Sequence, residues 1–223
     1  MSESKQSNYV PIKVIAIYSV IFYALWTVFH FFIDPVLQTL PSEALSAFIG
    51  EGIIKNLIWT LPAVVLMRKY SDKLLVPFKD MFKWNKDCNK YLLIFPAFLA
   101  YVILGIVVHG GKLAVSDDFG ISEIITVLFV GVTEEFVFRG WLLNSTVKRN
   151  ENVAVGVNCL MFLVIHFPRW IAEGEFVSNF ASLGFISILA LSYIFGWIFI
   201  KTKNIVLPVT LHMFWDLIIF MLY

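Results

Sequence analysis

Seven long apolar runs constrain this chain more than any other feature of its sequence. Each run is close to the roughly 20 residues with which an α-helix crosses about 30 Å of hydrocarbon. The runs cover residues 11–33, 50–67, 91–108, 121–145, 153–167, 180–200 and 205–222. They predict an all-α, polytopic membrane helix bundle of about seven transmembrane helices. Because the fifth run is short and the boundaries are soft, the prediction ranges from six to eight.

The composition agrees with a membrane protein and leaves no room for a soluble domain. Of the 223 residues, 59% are hydrophobic and 15% are charged, whereas a soluble globular chain is nearer a quarter charged. We therefore expect one integral membrane domain over residues 1–223 and membrane lipid as a partner. The net charge of +1 does not suggest a nucleic-acid partner. The sequence does not indicate the oligomeric state.

The basic residues predict how the helices are oriented. Cytoplasmic loops of membrane proteins accumulate Lys and Arg, so seven spans with a cytoplasmic N-terminus account for most of the 17 basic residues. The predicted inner segments hold Lys5, Lys13, Arg68, Lys69, Lys73, Lys79, Lys83, Lys86, Lys90, Lys148, Arg149, Lys201 and Lys203. The predicted outer segments hold Lys112, Arg169 and, at the mouth of the second run, Lys55, together with Asp34, Glu43, Asp117, Asp118, Glu173 and Glu175.

Six ionisable side chains lie well inside the apolar runs. An ionised group in mid-bilayer costs several kcal/mol, so such groups usually face the bundle interior and pair or function there. The six are Glu134, Glu135 and Arg139 in the fourth run, His166 in the fifth, and His212 and Asp216 in the seventh. His30 and His109 fall at predicted span ends, and we interpret them as incidental.

The two adjacent glutamates of the fourth run have different expected partners. Glu135 and Arg139 are four residues apart, which brings their side chains together on one helix face, so a structural salt bridge is a sufficient reading of both. Glu134 points about 100° away from Glu135 around the helix. The pair leaves it unexplained, so Glu134 needs another partner or a function.

The remaining candidates fall at a similar depth. Counted at about 1.5 Å per residue from the cytoplasmic ends of their spans, Glu134, His166, His212 and Asp216 lie about 10 to 20 Å into the membrane. Each histidine alone is more readily a packing residue than a functional one. Together, three helices bring a carboxylate and two imidazoles to one layer. That pocket could contain a base that activates water and donors that stabilise an oxyanion.

Three motifs in this order carry a family resemblance. They are EEFVFR (Glu134 to Arg139), FLVIH (Phe162 to His166) and HMFWD (His212 to Asp216). Their pattern resembles the CPBP family of CAAX proteases and bacteriocin-processing enzymes, also called Abi, which are glutamic-type intramembrane endopeptidases. The resemblance covers a catalytic core of about residues 120–222.

The resemblance implies a function and a role for each residue. Glu134 and His166 would activate a water, and His212 and Asp216 would stabilise the oxyanion, with Glu135 and Arg139 in support. The family often has Asn at the last position, which can donate a hydrogen bond, whereas an ionised Asp only accepts. Asp216 would therefore be protonated, orient His212, or bind a positive group. The expected substrate is a membrane-associated peptide or a lipidated protein tail, such as a CAAX tail, a leader or a pheromone. It would enter from the cytoplasmic side of a bacterial plasma membrane.

Other readings stay open at this point. Glu134, His166 and His212 could hold a catalytic zinc with an open position for water, although no H-E-x-x-H signature is present; no cofactor is the favoured reading. A non-catalytic membrane partner, such as a bacteriocin immunity protein or an enzyme scaffold, would keep the fold without the chemistry. Proton or ion transport would also explain buried ionisable groups, but the sequence lacks the repeats that many transporters show.

Overall fold

The computed structural model describes residues 8–223 and is all-helical, as the sequence predicts. It is 77% helix, and the described residues contain no strand. Lys5, which was predicted to be on the inner side, lies outside the described residues.

Seven helices correspond to the seven apolar runs. They are α1 (Ile12–Leu37), α2 (Glu43–Lys69), α3 (Ile94–Val108), α4 (Ile121–Glu135, continuing through a π-helical segment Phe136–Leu143 into Asn144–Thr146), α5 (Glu151–Ala172), α6 (Gly184–Thr202) and α7 (Val206–Leu222). Short helical segments at Ser71–Lys73, Asp80–Phe82, Lys86–Asn89 and Phe176–Ala181 connect them.

The count of seven membrane spans is not confirmed. Among the described residues, α1, α2, α5 and α6 are long and apolar enough to cross a membrane, and α3 becomes a fifth if it is joined to Asp80–Asn89, from which it is bent by 73°. The helix α7 is apolar but shorter, with 17 residues. The helix α4 carries the charges of Glu134, Glu135 and Arg139, which lower its hydropathy. The side on which the N-terminus lies also stays a prediction.

Most of the basic residues gather at one end of the bundle, which we call the basic end. There the segment between α2 and α3 folds against the ends of other helices. The Leu75 amide donates to the Asn144 carbonyl at 3.0 Å, and the Ile205 amide donates to the Met81 carbonyl at 2.7 Å. The Arg149 guanidinium reaches the Val10 carbonyl at 2.7 Å. These contacts bring together the residues just before α1, the α2–α3 segment, the α4–α5 turn and the α6–α7 turn.

The opposite end, which we call the acidic end, joins the other connections. The Ser116 amide donates to the Met221 carbonyl at 2.9 Å, which fixes the α3–α4 loop against the end of α7. The α1–α2 turn and the α5–α6 segment begin at the ends of helices that run from the basic end to this one. The helices therefore alternate in direction between the two ends.

The helix α4 occupies a central position and packs closely against α7 and α2. Gly131 permits the approach of α7, because a Cβ there would lie 2.6 Å from Met213 Cγ and 3.2 Å from Met213 N. This is the close contact expected of small residues between membrane helices. At Gly156 on α5, by contrast, a Cβ would meet nothing within 4 Å.

The π-helical segment begins directly after the two adjacent glutamates. A π-helical turn adds a residue to each turn and is frequent at functional sites. Here it runs from Phe136 to Leu143, and the side chains of Phe138, Arg139 and Trp141 within it are fully buried. The segment thus anchors the helix in the core next to Glu134 and Glu135.

Candidate active site

One large cavity contains the four residues that the sequence singled out as catalytic. Its volume is about 900 Å³, and Glu134, His166, His212 and Asp216 all line it. The four come from α4, α5 and α7, so three helices contribute to one pocket, as the sequence analysis predicts. The geometry brings the residues together; their roles stay predictions.

Glu134 has a partner that the sequence analysis missed. The Lys55 ammonium lies 3.1 Å from Glu134 Oε1 and 2.9 Å from Glu51 Oε2. Lys55 is only 2% exposed, so it is not at the mouth of its span as predicted. It lies inside the bundle on the fourth turn of α2, which begins at Glu43, earlier than the apolar run. Lys55 is therefore the other partner that the sequence analysis required for Glu134 but did not identify.

Aromatic rings hold the Lys55 ammonium in place. It lies 4.7 Å from the centre of the Trp59 ring and 5.1 Å from that of Trp26. A cation near an aromatic face is stabilised by the ring quadrupole, and more so where water is excluded. The sequence did contain a signal for the Lys55–Glu51 contact, because Glu51 lies four residues earlier on α2 and this spacing is typical of an ion pair within a helix. The contact with Glu134, 79 residues away, had no local signal.

Glu135 and Arg139 form the predicted salt bridge. Arg139 Nη1 donates to Glu135 Oε1 at 2.9 Å, and both side chains are fully buried. Arg139 Nη2 also donates to the carbonyl and the hydroxyl of Ser192 on α6, at 2.9 and 3.0 Å. The pair therefore connects α4 with α6 as well as balancing its own charge.

Glu135 also fixes the orientation of His212. His212 Nδ1 lies 2.9 Å from Glu135 Oε1, and a carboxylate oxygen accepts, so Nδ1 carries the proton. The imidazole stacks on the Phe195 ring with 5.2 Å between centres. His212 Nε2 is left 3.5 Å from Asp216 Oδ2 and 4.0 Å from Glu134 Oε2. The two glutamates thus face opposite nitrogens of one histidine.

His166 lies where α5 changes direction, in the turn between Glu151–Val164 and Phe167–Ala172. Its Nδ1 lies 3.0 Å from the Phe162 carbonyl oxygen, which can only accept, so Nδ1 donates and Nε2 is left as an acceptor. Pro168 follows two residues later and begins the second part of the helix. An imidazole held this way offers a lone pair to a proton donor such as water.

His30 is not the interfacial residue that the sequence suggested. It is 6% exposed, packs against the Trp26 ring with 4.3 Å between centres and lines the same cavity. Its Nδ1 lies 3.6 Å from Asp34 Oδ2. His109, by contrast, is exposed, and its Nδ1 lies 2.8 Å from the Gly105 carbonyl oxygen of its own helix.

The alternative zinc site is not assembled in this arrangement. Within residues 8–223, no group of three or more His, Cys, Asp or Glu side chains is placed to hold a metal ion. The set considered from sequence was Glu134, His166 and His212. One carboxylate oxygen of Glu134 is already engaged by the Lys55 ammonium, which is the wrong neighbour for a cation. The residues as placed do not fit the metal.

Comparison with known proteins supports the three motifs. Residues 119–218 match a family model described as "Type II CAAX prenyl endopeptidase Rce1-like". The matched segment runs from the start of α4 into α7 and includes all three motifs. No curated protein and no solved structure shows significant similarity to the chain. The resemblance to CAAX proteases inferred from the motifs is confirmed over this segment.

Proposed function

Because residues 119–218 match the family model of Rce1-like CAAX proteases, we propose that this chain is an intramembrane endopeptidase of the glutamic type. It hydrolyses a peptide bond of a membrane-associated peptide or protein tail. One observation carries the proposal: Glu134, His166, His212 and Asp216 line a single cavity inside a helical membrane bundle.

Glu134 and His166 activate the attacking water. Glu134 Oε2 faces the site while Oε1 is held by Lys55, and His166 offers Nε2 as a second acceptor. The water proton moves to this pair as the water oxygen attacks the scissile carbonyl carbon. The same proton then goes to the amide nitrogen as the C–N bond breaks, which yields a carboxylic acid and a free amine. The acid then loses its proton to the amine or to solvent.

His212 and Asp216 face the developing oxyanion. His212 donates from Nδ1 to Glu135, so when Nε2 is also protonated it can donate to the oxyanion. Asp216 is 3.5 Å from that nitrogen. In its protonated form Asp216 adds a second donor. Glu135 and Arg139 do not face the water; they position His212 and α6.

The finer features of the proposal follow from the family and the site. The substrate is a lipidated protein tail or a leader or pheromone peptide that lies at the membrane. The protein acts in a bacterial plasma membrane as a multi-pass enzyme, with its catalytic core over about residues 120–222. No cofactor is needed, because the carboxylate, two imidazoles and one acid supply the proton transfers.

The Lys55–Glu134 ion pair also favours one alternative. A buried pair of this kind is what a purely structural glutamate would show, so a non-catalytic membrane partner, such as an immunity protein, is the second candidate. In that case Glu134→Gln would preserve the cellular function of the chain.

The test is cleavage of a mixed-sequence library of quenched fluorescent peptides by the detergent-purified protein. The variants are Glu134→Gln, which keeps the side-chain shape but removes the base, and Glu151→Gln, an exposed control at the start of α5 outside the cavity. The proposal predicts cleavage by wild type and Glu151→Gln only. Equal cleavage by Glu134→Gln, or no cleavage by any of the three, contradicts it.

A further inference from the structure

The candidate active-site cavity lies in one half of the bundle. Each of the helices that line it does so from the half nearer the acidic end. The lining residues include Trp26 to Leu37 of α1, Glu43 to Lys55 of α2, Ser122 to Glu134 of α4, Phe162 to Arg169 of α5, Ile188 to Phe195 of α6 and His212 to Phe220 of α7. The α1–α2 turn and the α3–α4 loop complete the wall through Gln38, Leu40, Ser116 and Asp118.

The mouth of the cavity is at the acidic end. Gln38, Glu43, Asp118 and Glu173 line the cavity and are exposed. They lie in or directly beside the connections at the acidic end, so a ligand that passes them reaches Glu134 without crossing the packed core.

The half nearer the basic end is closed. Below Glu134 the side chains of Met67, Phe138, Trp141 and Phe199 are all 0% exposed and belong to the main hydrophobic core. The amide of the buried Asn144 side chain then ties this core to the α2–α3 segment, donating to the Val76 carbonyl at 2.9 Å and accepting from the Val76 amide at 2.8 Å. A peptide cannot pass to the site from this end without breaking these contacts.

The charges distinguish the two ends in the membrane. The basic end carries Lys13, Arg68, Lys69, Lys73, Lys79, Lys83, Lys86, Lys90, Lys148, Arg149, Lys201 and Lys203. The acidic end carries Lys112 and Arg169 against Asp34, Glu43, Asp117, Asp118, Glu123, Glu173 and Glu175. Because Lys and Arg in short loops are retained on the cytoplasmic side, the basic end faces the cytoplasm and the acidic end faces away from it.

We propose that the cavity opens to the extracytoplasmic side of the membrane, so that the substrates of this site are peptide segments presented from the outer face. That these peptides are cleaved rests on the proposed function. That the cavity opens outward rests on the position of the cavity and the distribution of charges. The inference narrows the substrates named under the proposed function to those that reach the outer face, and it leaves out tails of cytoplasmic proteins, which would meet the closed half. The sequence led us to expect entry from the cytoplasmic side, and this inference reverses that expectation. Residue depth places the site within the membrane but does not show which half of the bundle is closed by packing.

The direction is tested first by labelling, without any need for activity. Asp118→Cys places a thiol at the mouth, and Lys83→Cys places one at the basic end, where that side chain is 74% exposed. Each is expressed in a bacterial host, and spheroplasts are treated with a membrane-impermeant maleimide before and after lysis. The unsubstituted chain, with its free Cys88 and Cys159, gives the background.

We expect Asp118→Cys to be labelled to the same extent before and after lysis, and Lys83→Cys to be labelled only after lysis. The reverse pattern overturns the inference. Because labelling does not depend on catalysis, repeating it in a Glu134→Gln background gives the same answer if the direction is right.

The second measurement joins direction to cleavage. Right-side-out and inverted membrane vesicles that contain the wild type or Glu134→Gln receive the same quenched peptide library from outside. We expect Glu134-dependent cleavage in right-side-out vesicles, and in inverted vesicles only after detergent is added. Glu134-dependent cleavage in intact inverted vesicles alone overturns the inference. Absence of such cleavage in detergent overturns the proposed function instead, and the labelling result still decides the direction.

Discussion

The Lys55 ammonium lies 3.1 Å from Glu134 Oε1, with Lys55 2% and Glu134 6% exposed. This contact joins α2, which lies outside the segment matched by the family model, to the proposed catalytic base on α4. The Lys55 ammonium balances the charge of the Glu134 carboxylate in the middle of the helix. It also leaves the second oxygen of Glu134 directed toward His212.

The ion pair predicts a measurable coupling between the two residues. Removing one partner of a buried pair leaves an uncompensated charge, which costs about 3–5 kcal/mol. We expect Lys55→Met to lower the thermal midpoint of the detergent-purified protein, and Lys55→Met with Glu134→Gln to restore part of it. The coupling should fall at about 0.5–3 kcal/mol in a double-mutant cycle. Additive losses would show that the two side chains do not interact in the folded protein.

Asp216 can be tested through the residue that the family often has there. If the group at this position donates a hydrogen bond to the oxyanion, Asp216→Asn keeps the donor and Asp216→Ala loses it. We expect Asp216→Asn to retain most of the cleavage rate, whereas Asp216→Ala loses about 10²-fold or more in kcat. If both variants lose the same activity, the carboxylate acts instead by orienting His212 Nε2, 3.5 Å away.

The close approach of α4 and α7 at Gly131 predicts a difference between two glycines. We expect Gly131→Ala to cost about 1–3 kcal/mol, since the added Cβ would overlap Met213 Cγ and press on the backbone nitrogen of Met213. Gly156→Ala is the matched control, because open space surrounds that position. Thermal unfolding in one detergent compares the two. If Gly156→Ala lost as much stability as Gly131→Ala, the close packing of α4 against α7 at Gly131 would be contradicted.

A chelator separates the two proposed chemistries. Because Lys55 engages Glu134 and the described residues assemble no metal-binding group, we expect a strong chelator to leave peptide cleavage unchanged. Added zinc should not raise the rate. Loss of cleavage with the chelator that zinc restores would instead support the set of Glu134, His166 and His212 as ligands.

The sequence predicts the elements of this fold better than their contacts. The apolar runs located all seven helices, because a chain segment in hydrocarbon has to satisfy its own backbone hydrogen bonds and an α-helix does so. It did not settle how many of them cross the membrane, since the charges of α4 and the shortness of α7 obscure their character. The i, i+4 rule found Glu135 with Arg139 because that contact lies within one helix.

The missing parts of the site depend on contacts between distant segments. Lys55 meets Glu134 across 79 residues, and His212 meets Glu135 across 77. His30 was assigned to an interface because it stood near the end of an apolar run, whereas α1 continues to Leu37 and buries it. The open half of the cavity also follows from packing, which periodicity and charge do not specify.

In the proposed mechanism, Glu134 and His166 act as one unit on a single water. The most direct test is kcat/KM for cleavage of one peptide by wild type, Glu134→Gln, His166→Ala and the double variant. Groups that act together in catalysis show strongly non-additive losses. The account predicts that each single variant loses about 10²–10⁴-fold and that the double variant is no slower than the slower single one. Losses that multiply, or a wild-type rate in either single variant, would contradict it.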